Sequence, residues 1–398
     1  MNVKPLVVFL GLSLMVNPAL VALRAQVNPQ VQTNGSQATN VVTAVPFLRI
    51  VPDARTGGMG DAGVASLPDV NSMAVNPSKL AFLAPQYGVS GSYSPWLNSL
   101  KADINLAYLS GYYRVSDQNT LGASLRYFSI GKVQLFDNNQ QDLGFYSPNE
   151  FAFDFTFARK FGETFSLGTA LRYIRSNLSS GNFSSSQNSK AGNALAVDAS
   201  AYLRKPTHFF GKDVLLAFGL NISNIGTKIS YNDNADKFFL PTNLKLGSAS
   251  TFFLDDKNEI TVALDLNKLL VPTQPIYDSN GKILKGKDPN VSVPAGIFGS
   301  FADAPGGMTE ELKELSIATG LEYTYNKQLA LRCGYFYENP AKGDRRYFTL
   351  GAGFTYQSLQ IDLAYMIAET KNSPLSNTLR FSLIFSPGIV INEVQKKQ

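Results

Sequence analysis

Residues able to do covalent or metal chemistry are scarce in this chain of 398 residues, which has one histidine, His208, and one cysteine, Cys333. A hydrolytic triad needs an imidazole to take up and return a proton, so His208 would have to serve. It stands in Thr207-His208-Phe209-Phe210 with no further triad member apparent, and reads as a surface or interfacial side chain. A single cysteine excludes an intramolecular disulfide framework and a multi-cysteine metal site. A single histidine excludes a His-rich metal site. No cofactor and no metal is expected.

Two short motifs resemble ligand sites and are better read as turns. Gly58-Met59-Gly60-Asp61-Ala62-Gly63 matches the dinucleotide pattern G-x-G-x-x-G. That site needs a strand before it and a helix after it in a parallel sheet, and here Pro68 soon interrupts any following helix. The glycines instead suit a tight turn lying close to other backbone. Asp278-Ser279-Asn280-Gly281 begins like a calcium loop but lacks the later ligands and the closing glutamate. Asn-Gly between Ile276-Tyr277 and Lys282-Ile283-Leu284 predicts a small hairpin.

The elements that would hold these residues are strands. Phe151, Phe153, Phe155 and Phe157 alternate with Ala152, Asp154 and Thr156. A strand has a period of two, so one face is aromatic and the other small or polar. The pattern recurs at Leu216–Ile222, Ile260–Leu266, Leu359–Tyr365 and Leu379–Phe385. The polar face is rich in Gly and Ala, with isolated charges at Arg172, Lys245, Asp265, Glu322, Arg332 and Arg380. A soluble surface would carry more Lys and Glu, whereas scattered charges that pair across an interior suit a barrel lumen. Charged residues make up only 16% of the chain against 44% hydrophobic, below the roughly 25% charge of soluble domains. The formal charge of +5 lacks a basic block with interleaved aromatics, so no nucleic acid is expected as a partner.

These features predict an all-β fold, a transmembrane antiparallel barrel in an outer membrane rather than a secreted sandwich. Strands are expected near 86–95, 103–115, 119–130, 150–160, 164–175, 192–204, 214–223, 241–254, 259–268, 314–325, 328–338, 345–356, 358–369 and 376–386, about fourteen and so an even number, as bacterial barrels require. Connections alternate between short ones, as at Asp117-Gln118 or Gln357, and long ones at 131–149, 176–191, 224–240 and 269–313. Short turns face the periplasm and long loops face outward, which would put both termini in the periplasm; the connection at 205–213 is longer than the other short ones. Tyr112, Tyr113, Tyr323, Tyr325, Tyr335, Tyr337, Tyr347 and Phe348 crowd strand ends as an aromatic girdle would.

Outside the wall, residues 1–25 read as a signal peptide, with Lys4, an apolar run from Leu6 to Val16 and cleavage after Ala25. Residues 26–45 read as a flexible periplasmic arm. Residues 46–85 do not alternate and read as a plug in the lumen, with a short helix around Ser72 to Leu83; Gly57, Gly58, Gly60, Gly63, Asn76 and Pro77 are its candidate structural residues. The barrel spans 86–386 and a periplasmic tail 387–398. Cys333 falls on an apolar strand face. Phe238-Phe239-Leu240 and Ile297, Phe298 and Phe301 place apolar residues in outer loops, where they either pack together or mark a protein-contact surface. Asp303 to Gly307 reads as a turn.

Residues 47–65, FLRIVPDARTGGMGDAGVA, resemble the start of the PorV family, and 73–81, MAVNPSKLA, resemble its following segment. The latter is also similar to the Asn-Pro-Ala region in the plug of the wider FadL superfamily, with Ser78 where that superfamily usually has Ala. The resemblance implies the fourteen-stranded outer-membrane barrel of the type IX secretion system in Bacteroidota. It implies a non-enzymatic carrier that binds the C-terminal signal domain of secreted cargo at the translocon barrel, SprA. The carrier brings cargo to the complex of the sortase-like PorU, where it is joined to lipopolysaccharide. The loops at 224–240 and 269–313 are the expected contact surface. The alternative is a FadL-like channel for hydrophobic small molecules.

Overall fold

The computed structural model describes residues 39–97, 103–136, 140–178, 190–209, 211–232, 237–370, 373 and 375–387. The expected signal peptide, the arm before residue 39 and the tail after residue 387 lie outside the described residues. The strands are β1 (Tyr87–Pro95), β2 (Asn105–Arg114), β3 (Asn119–Ser129), β4 (Val133–Phe136), β5 (Asp142–Tyr146), β6 (Asn149–Phe161), β7 (Phe165–Asn177), β8 (Gly192–Phe209), β9 (Lys212–Gly226), β10 (Asn243–Phe253), β11 (Asn258–Leu269), β12 (Ile276–Tyr277), β13 (Ile283–Lys285), β14 (Ser316–Tyr325), β15 (Leu329–Tyr337), β16 (Arg346–Tyr356), β17 (Leu359–Ala368) and β18 (Thr378–Phe385). Fourteen of them close into an antiparallel barrel in chain order, while β4–β5 and β12–β13 are hairpins within long connections. The seam joins β1 to β18, with Val89 opposite Phe385 and Tyr93 opposite Phe381.

The strands form because their alternation satisfies both faces of a closed wall. Outward side chains such as Phe153, Phe155, Leu109, Leu331 and Leu350 are exposed, while the inward Asp154, Thr156, Arg172 and Ser382 are buried. An apolar band outside a polar interior is stable only against lipid, and closure leaves no unpaired strand edge there. Among the described residues no helix is long and apolar enough to cross a membrane. Cys333 and Phe348 face outward. Tyr112 and Tyr347 correct the girdle expectation: their positions in β2 and β16 have inward parity, and both are buried.

The Asn280-Gly281 turn joins β12 to β13 as expected, with Asp278 Oδ1 accepting from the backbone of Asn280 and Lys282 and Gly281 at φ 78°. In the longer short-side connection at 205–213, residues 205–209 and 212–213 are strand instead. β8 and β9 stay paired out to Phe209 and Lys212, while β7 ends opposite Leu203. This hairpin passes the neighbouring β6–β7 turn, and Pro206 within it lies on the side that β7 leaves open, where a missing N–H costs no ladder bond. His208 sits near its tip, its Nδ1 2.5 Å from Asp213 Oδ1, with both side chains largely exposed.

Residues 46–83 occupy the lumen. They form a 3-10 turn Pro46–Arg49, a helix Ala54–Gly58, and two further 3-10 turns, Val70–Ala74 and Pro77–Phe82, in place of the single helix expected around 72–83. The arm expectation is corrected for residues 39–45. They are held at the long-connection end, where Val41 bridges Thr273, the Ala44 amide donates to the Phe239 carbonyl at 3.0 Å, and Ala44 and Val45 are buried. Contacts with distant loops, invisible to local composition, order them.

Candidate functional site

Two assemblies position the functional side chains: the contact between plug and wall, and a cap over the long-connection end.

The plug is fastened where wall residues are small or charged. Asp53 caps the helix Ala54–Gly58 by accepting from the Thr56 amide at 2.8 Å, the usual stabilisation of a first-turn N–H. Beyond the helix, Gly60 takes φ 65°, and a Cβ there would lie 2.5 Å from the Tyr335 amide nitrogen, so only glycine fits. A Cβ on Gly57 would meet the Arg380 side chain, one on Gly58 would lie 3.1 Å from Gly351, and one on Gly63 would meet Thr56. The Gly63 and Val64 amides donate to Asp265 Oδ2 at 2.7 and 2.9 Å. The motif matching a dinucleotide loop is therefore occupied by the wall. Asn76 caps the turn Pro77–Phe82, with Pro77 at a first-turn position that needs no N–H. The Asn76 amide nitrogen also reaches the Val64 and Ala201 carbonyls, tying that turn to the earlier part of the plug and to β8.

Of the six inward charges expected in the lumen, Arg172, Asp265, Glu322, Arg332 and Arg380 are buried and Lys245 is half-buried. Glu322 joins two guanidiniums, accepting from Arg332 Nε at 2.6 Å and from Arg55 of the plug at 3.0 and 2.8 Å. Arg332 continues to Asp362 at 2.7 Å, and Arg55 to Asp69 at 2.9 Å. Arg380 pairs with plug residue Asp61 at 2.6 Å, which also accepts from the Tyr347 hydroxyl at 2.6 Å. Arg172 instead stays within the wall, bound to Asp154 at 2.6 Å, to Asp198 at 3.0 Å and to Asn224. A bulge between β8 and β9 near Val197–Ala199 brings the Asn224 amide to Asp198 Oδ1 at 2.8 Å. Arg55 and Asp61, in the segment read as the plug, and Asp198, in an expected wall strand, were not singled out from sequence, whereas Asp154 was placed on the polar face of its strand.

The cap is built by the connection between β11 and β14. It contains two helices, Val293–Gly299 and Met308–Lys313, joined by the turn expected at 303–307. Glu311 fixes that turn, its Oε1 accepting from the Asp303 and Ala304 amides at 2.8 Å each. Beneath, Lys268 pairs with Glu311 and Glu314 at 3.0 and 2.6 Å, and Lys342 with Glu310 and Glu314 at 2.6 and 3.1 Å. Burial pushes the Asp303 carboxyl up to about 6.

This geometry divides the six apolar loop candidates. Phe239 and Leu240 are buried, at 9% and 2% exposure, and Phe238 is partly buried. Leu240 packs with Val45, Phe47 and Ile174, and Phe239 lies against Gly296 of the cap. Their role is corrected from contact surface to packing, because the ordered plug entry supplies apolar neighbours. Ile297 is half-buried, whereas Phe298 is 80% exposed and Phe301 also faces out. Met308 and Leu312 on the second cap helix are also exposed and were missed; their only signal was an apolar pair four apart in an acidic stretch.

The chain matches the family model of type IX secretion system protein PorV over residues 32–276. That is more than half of its length, and the chain belongs to this family. Among solved structures, the Pseudomonas putida toluene transporter TodX is similar at TM-score 0.45 and 12% identity, over 88% of this chain and 98% of that one. A Pseudomonas aeruginosa FadL homologue is similar at TM-score 0.43 and 11% identity, over 88% of this chain and all of that one. The Ralstonia pickettii toluene transporter TbuX is similar at TM-score 0.43 and 10% identity, over 84% and 97%. No curated protein sequence matches significantly. The fold, the lipid-facing wall and the family together make this an outer-membrane β-barrel connected with type IX secretion.

Proposed function

We propose, with membership of the PorV family as the premise, that this barrel is the membrane-anchored carrier of secreted cargo. It accepts the C-terminal signal domain of the cargo at the translocon barrel and brings it to the sortase-like attachment complex, without catalysing a reaction itself. The observation that carries this reading is the exposed apolar surface of the cap, Phe298, Phe301, Met308 and Leu312, on the long-connection end. Exposed apolar side chains gathered in one loop fit a protein contact, and a β-domain has an apolar surface to offer in return. The lipid-facing wall would let such a carrier diffuse laterally between assemblies.

The channel reading is weaker. A hydrophobic solute would need an apolar path, whereas the plug meets the wall through the ion pairs Arg55–Glu322 and Asp61–Arg380. An apolar depression of about 550 Å³, lined by Tyr93, Leu109, Leu125, Tyr127, Ile361 and Phe381 among others, lies on the outward face of the wall.

The test is a mild-detergent pull-down from the native outer membrane. The unaltered protein should recover secreted proteins that share one C-terminal β-domain, together with a very large barrel or a sortase-like protease. Phe298→Asp with Phe301→Asp should abolish cargo recovery while heat-modifiable gel mobility stays normal. Undiminished cargo recovery by the double variant would remove the cap from the contact surface. Recovery of the barrel with bound fatty acid alone would favour the channel.

A further inference from the structure

We infer that the chain enters the barrel from the cell surface, so that residues 39–45 form an external strap that fastens the cap. In an even-stranded barrel the first strand starts, and the last strand ends, at the same rim. Here β1 begins at Tyr87 opposite Tyr113, beside the short β2–β3 turn, and β18 ends at Phe385 on that rim. The plug adds one more crossing. At the short-turn rim, Phe82 lies under the Arg204 guanidinium at 4.1 Å. Midway along the lumen, Arg55 meets Glu322. Near the other end, the Leu48 carbonyl accepts from Arg126 at 2.8 Å, and Arg49 pairs with Glu338 of the β15–β16 connection at 3.1 Å. Residue 39 therefore stands at the opposite rim from Tyr87, among the long connections that face outward in outer-membrane barrels.

The strap is fixed at three places, each in a different long connection. Ala44 bonds to Phe239 between β9 and β10. Val41 bridges Thr273 between β11 and β14. Lys342, between β15 and β16, donates to the Thr39 carbonyl at 2.7 Å and to Glu310 and Glu314 of the cap, while the Thr39 hydroxyl donates to Glu310. Thr273 Oγ1 donates to Glu314 at 2.5 Å. One ionic cluster thus holds strap, cap and the β15–β16 loop together. Asn40 and Val42 remain exposed on the strap, which adds them to the face that the cap presents. That last contribution rests on the carrier reading; the direction of the chain does not.

The direction is read by labelling single cysteines with a membrane-impermeant maleimide in intact cells, in a Cys333→Ser background. Gly299→Cys on the cap, where a Cβ meets nothing within 4 Å, marks the outside, and Lys257→Cys in the β10–β11 turn marks the periplasm. Asn40→Cys should label as fully as Gly299→Cys, with Lys257→Cys labelled only after permeabilisation. Asn40→Cys protected in cells whose Gly299→Cys is labelled would overturn the inference and leave the carrier reading standing. Lys257→Cys labelled in place of Gly299→Cys would reverse the barrel and overturn both.

The fastening is read by limited proteolysis of the cap in the detergent-solubilised barrel. Lys342→Met should speed cleavage within 293–313 about tenfold, through more frequent local opening. Thr39→Val, which leaves the Lys342 ion pairs in place, should speed it about twofold. Rates unchanged in both variants would overturn the strap.

Discussion

The two sides of the lumen use the same kinds of side chain for different ends. Across β14–β18, Glu322 and Arg380 look inward and take partners from the plug, Arg55 and Asp61, while Arg332 links Glu322 to Asp362 within the wall. Across β6–β9, Arg172, Asp154 and Asp198 take partners from one another and brace the wall. There the plug is met by neutral groups: the Ser78 amide donates to Ser200 Oγ at 3.0 Å, the Ser166 hydroxyl to the Ser78 carbonyl at 2.8 Å, and Asn221 to the Val75 carbonyl at 2.9 Å. A buried charge left without its partner costs far more than a lost neutral hydrogen bond. The charged side should therefore set whether the plug stays seated, and the neutral side should guide where it lies.

Glu322→Ala should have the largest effect. It takes the shared carboxylate from two buried guanidiniums, leaving Arg332 only Asp362 and Arg55 only Asp69, at a cost of about 3 kcal/mol, and should expose the plug to protease in a barrel that still shows heat-modifiable mobility. A plug that stays protected would break the comparison. Arg172→Met strands Asp154 and Asp198 at a cost of about 3 kcal/mol. It should lower the urea midpoint of barrel unfolding while the folded fraction keeps its plug protected; plug release would show that the two sides do not divide the work. Gly60→Ala sharpens the steric part of the contact. It forces a side chain against strand backbone at positive φ, for about 1–3 kcal/mol, measured by the same unfolding midpoint.

The smallest effect concerns acid and the cap. Burial opposes the charge on Glu310 and Glu311. Even so, Lys342 and Thr39 around the first, and the Ala304 amide and Lys268 around the second, hold both carboxyls below the usual glutamate range. Such groups contribute stability above their unfolded value and lose it as pH falls through their folded value. Asp303 acts in the opposite sense. Its folded value near 6 lies above the unfolded one, so protonating it favours the folded cap. Cleavage within 293–313 by an acid-active protease should stay slow from pH 7 to about 5 and quicken only below the ordinary glutamate range. Quickening near pH 6 would contradict these assignments.

The wall was legible because a membrane barrel writes its fold locally: Phe151 to Phe157 show in seven residues which face meets lipid. The β12–β13 hairpin was legible for the same reason, since Asn280-Gly281 carries its own turn chemistry. Residues 39–45 were not, because a run of Thr, Asn and Val resembles a free arm until Glu310 and Lys342, far along the chain, hold it. Phe239 and Leu240 misled for the same cause. An apolar pair in a loop has no visible partner when its partners are Val45, Phe47 and Gly296. The helix Ala54–Gly58 escaped because five residues with two glycines carry no helical period, and wall contacts rather than propensity sustain it.

Gly60 lies so close to Tyr335, and Arg55 is so firmly enclosed beside Glu322, that the wall is moulded on its contents. The seam, Val89 with Phe385, joins strands from the two ends of the barrel sequence. Assembly would then resemble wrapping a sheet around a rod. Residues 46–83 would be the template on which the strands curl, and the joining of β18 to β1 would seal the contents at the moment it makes the container.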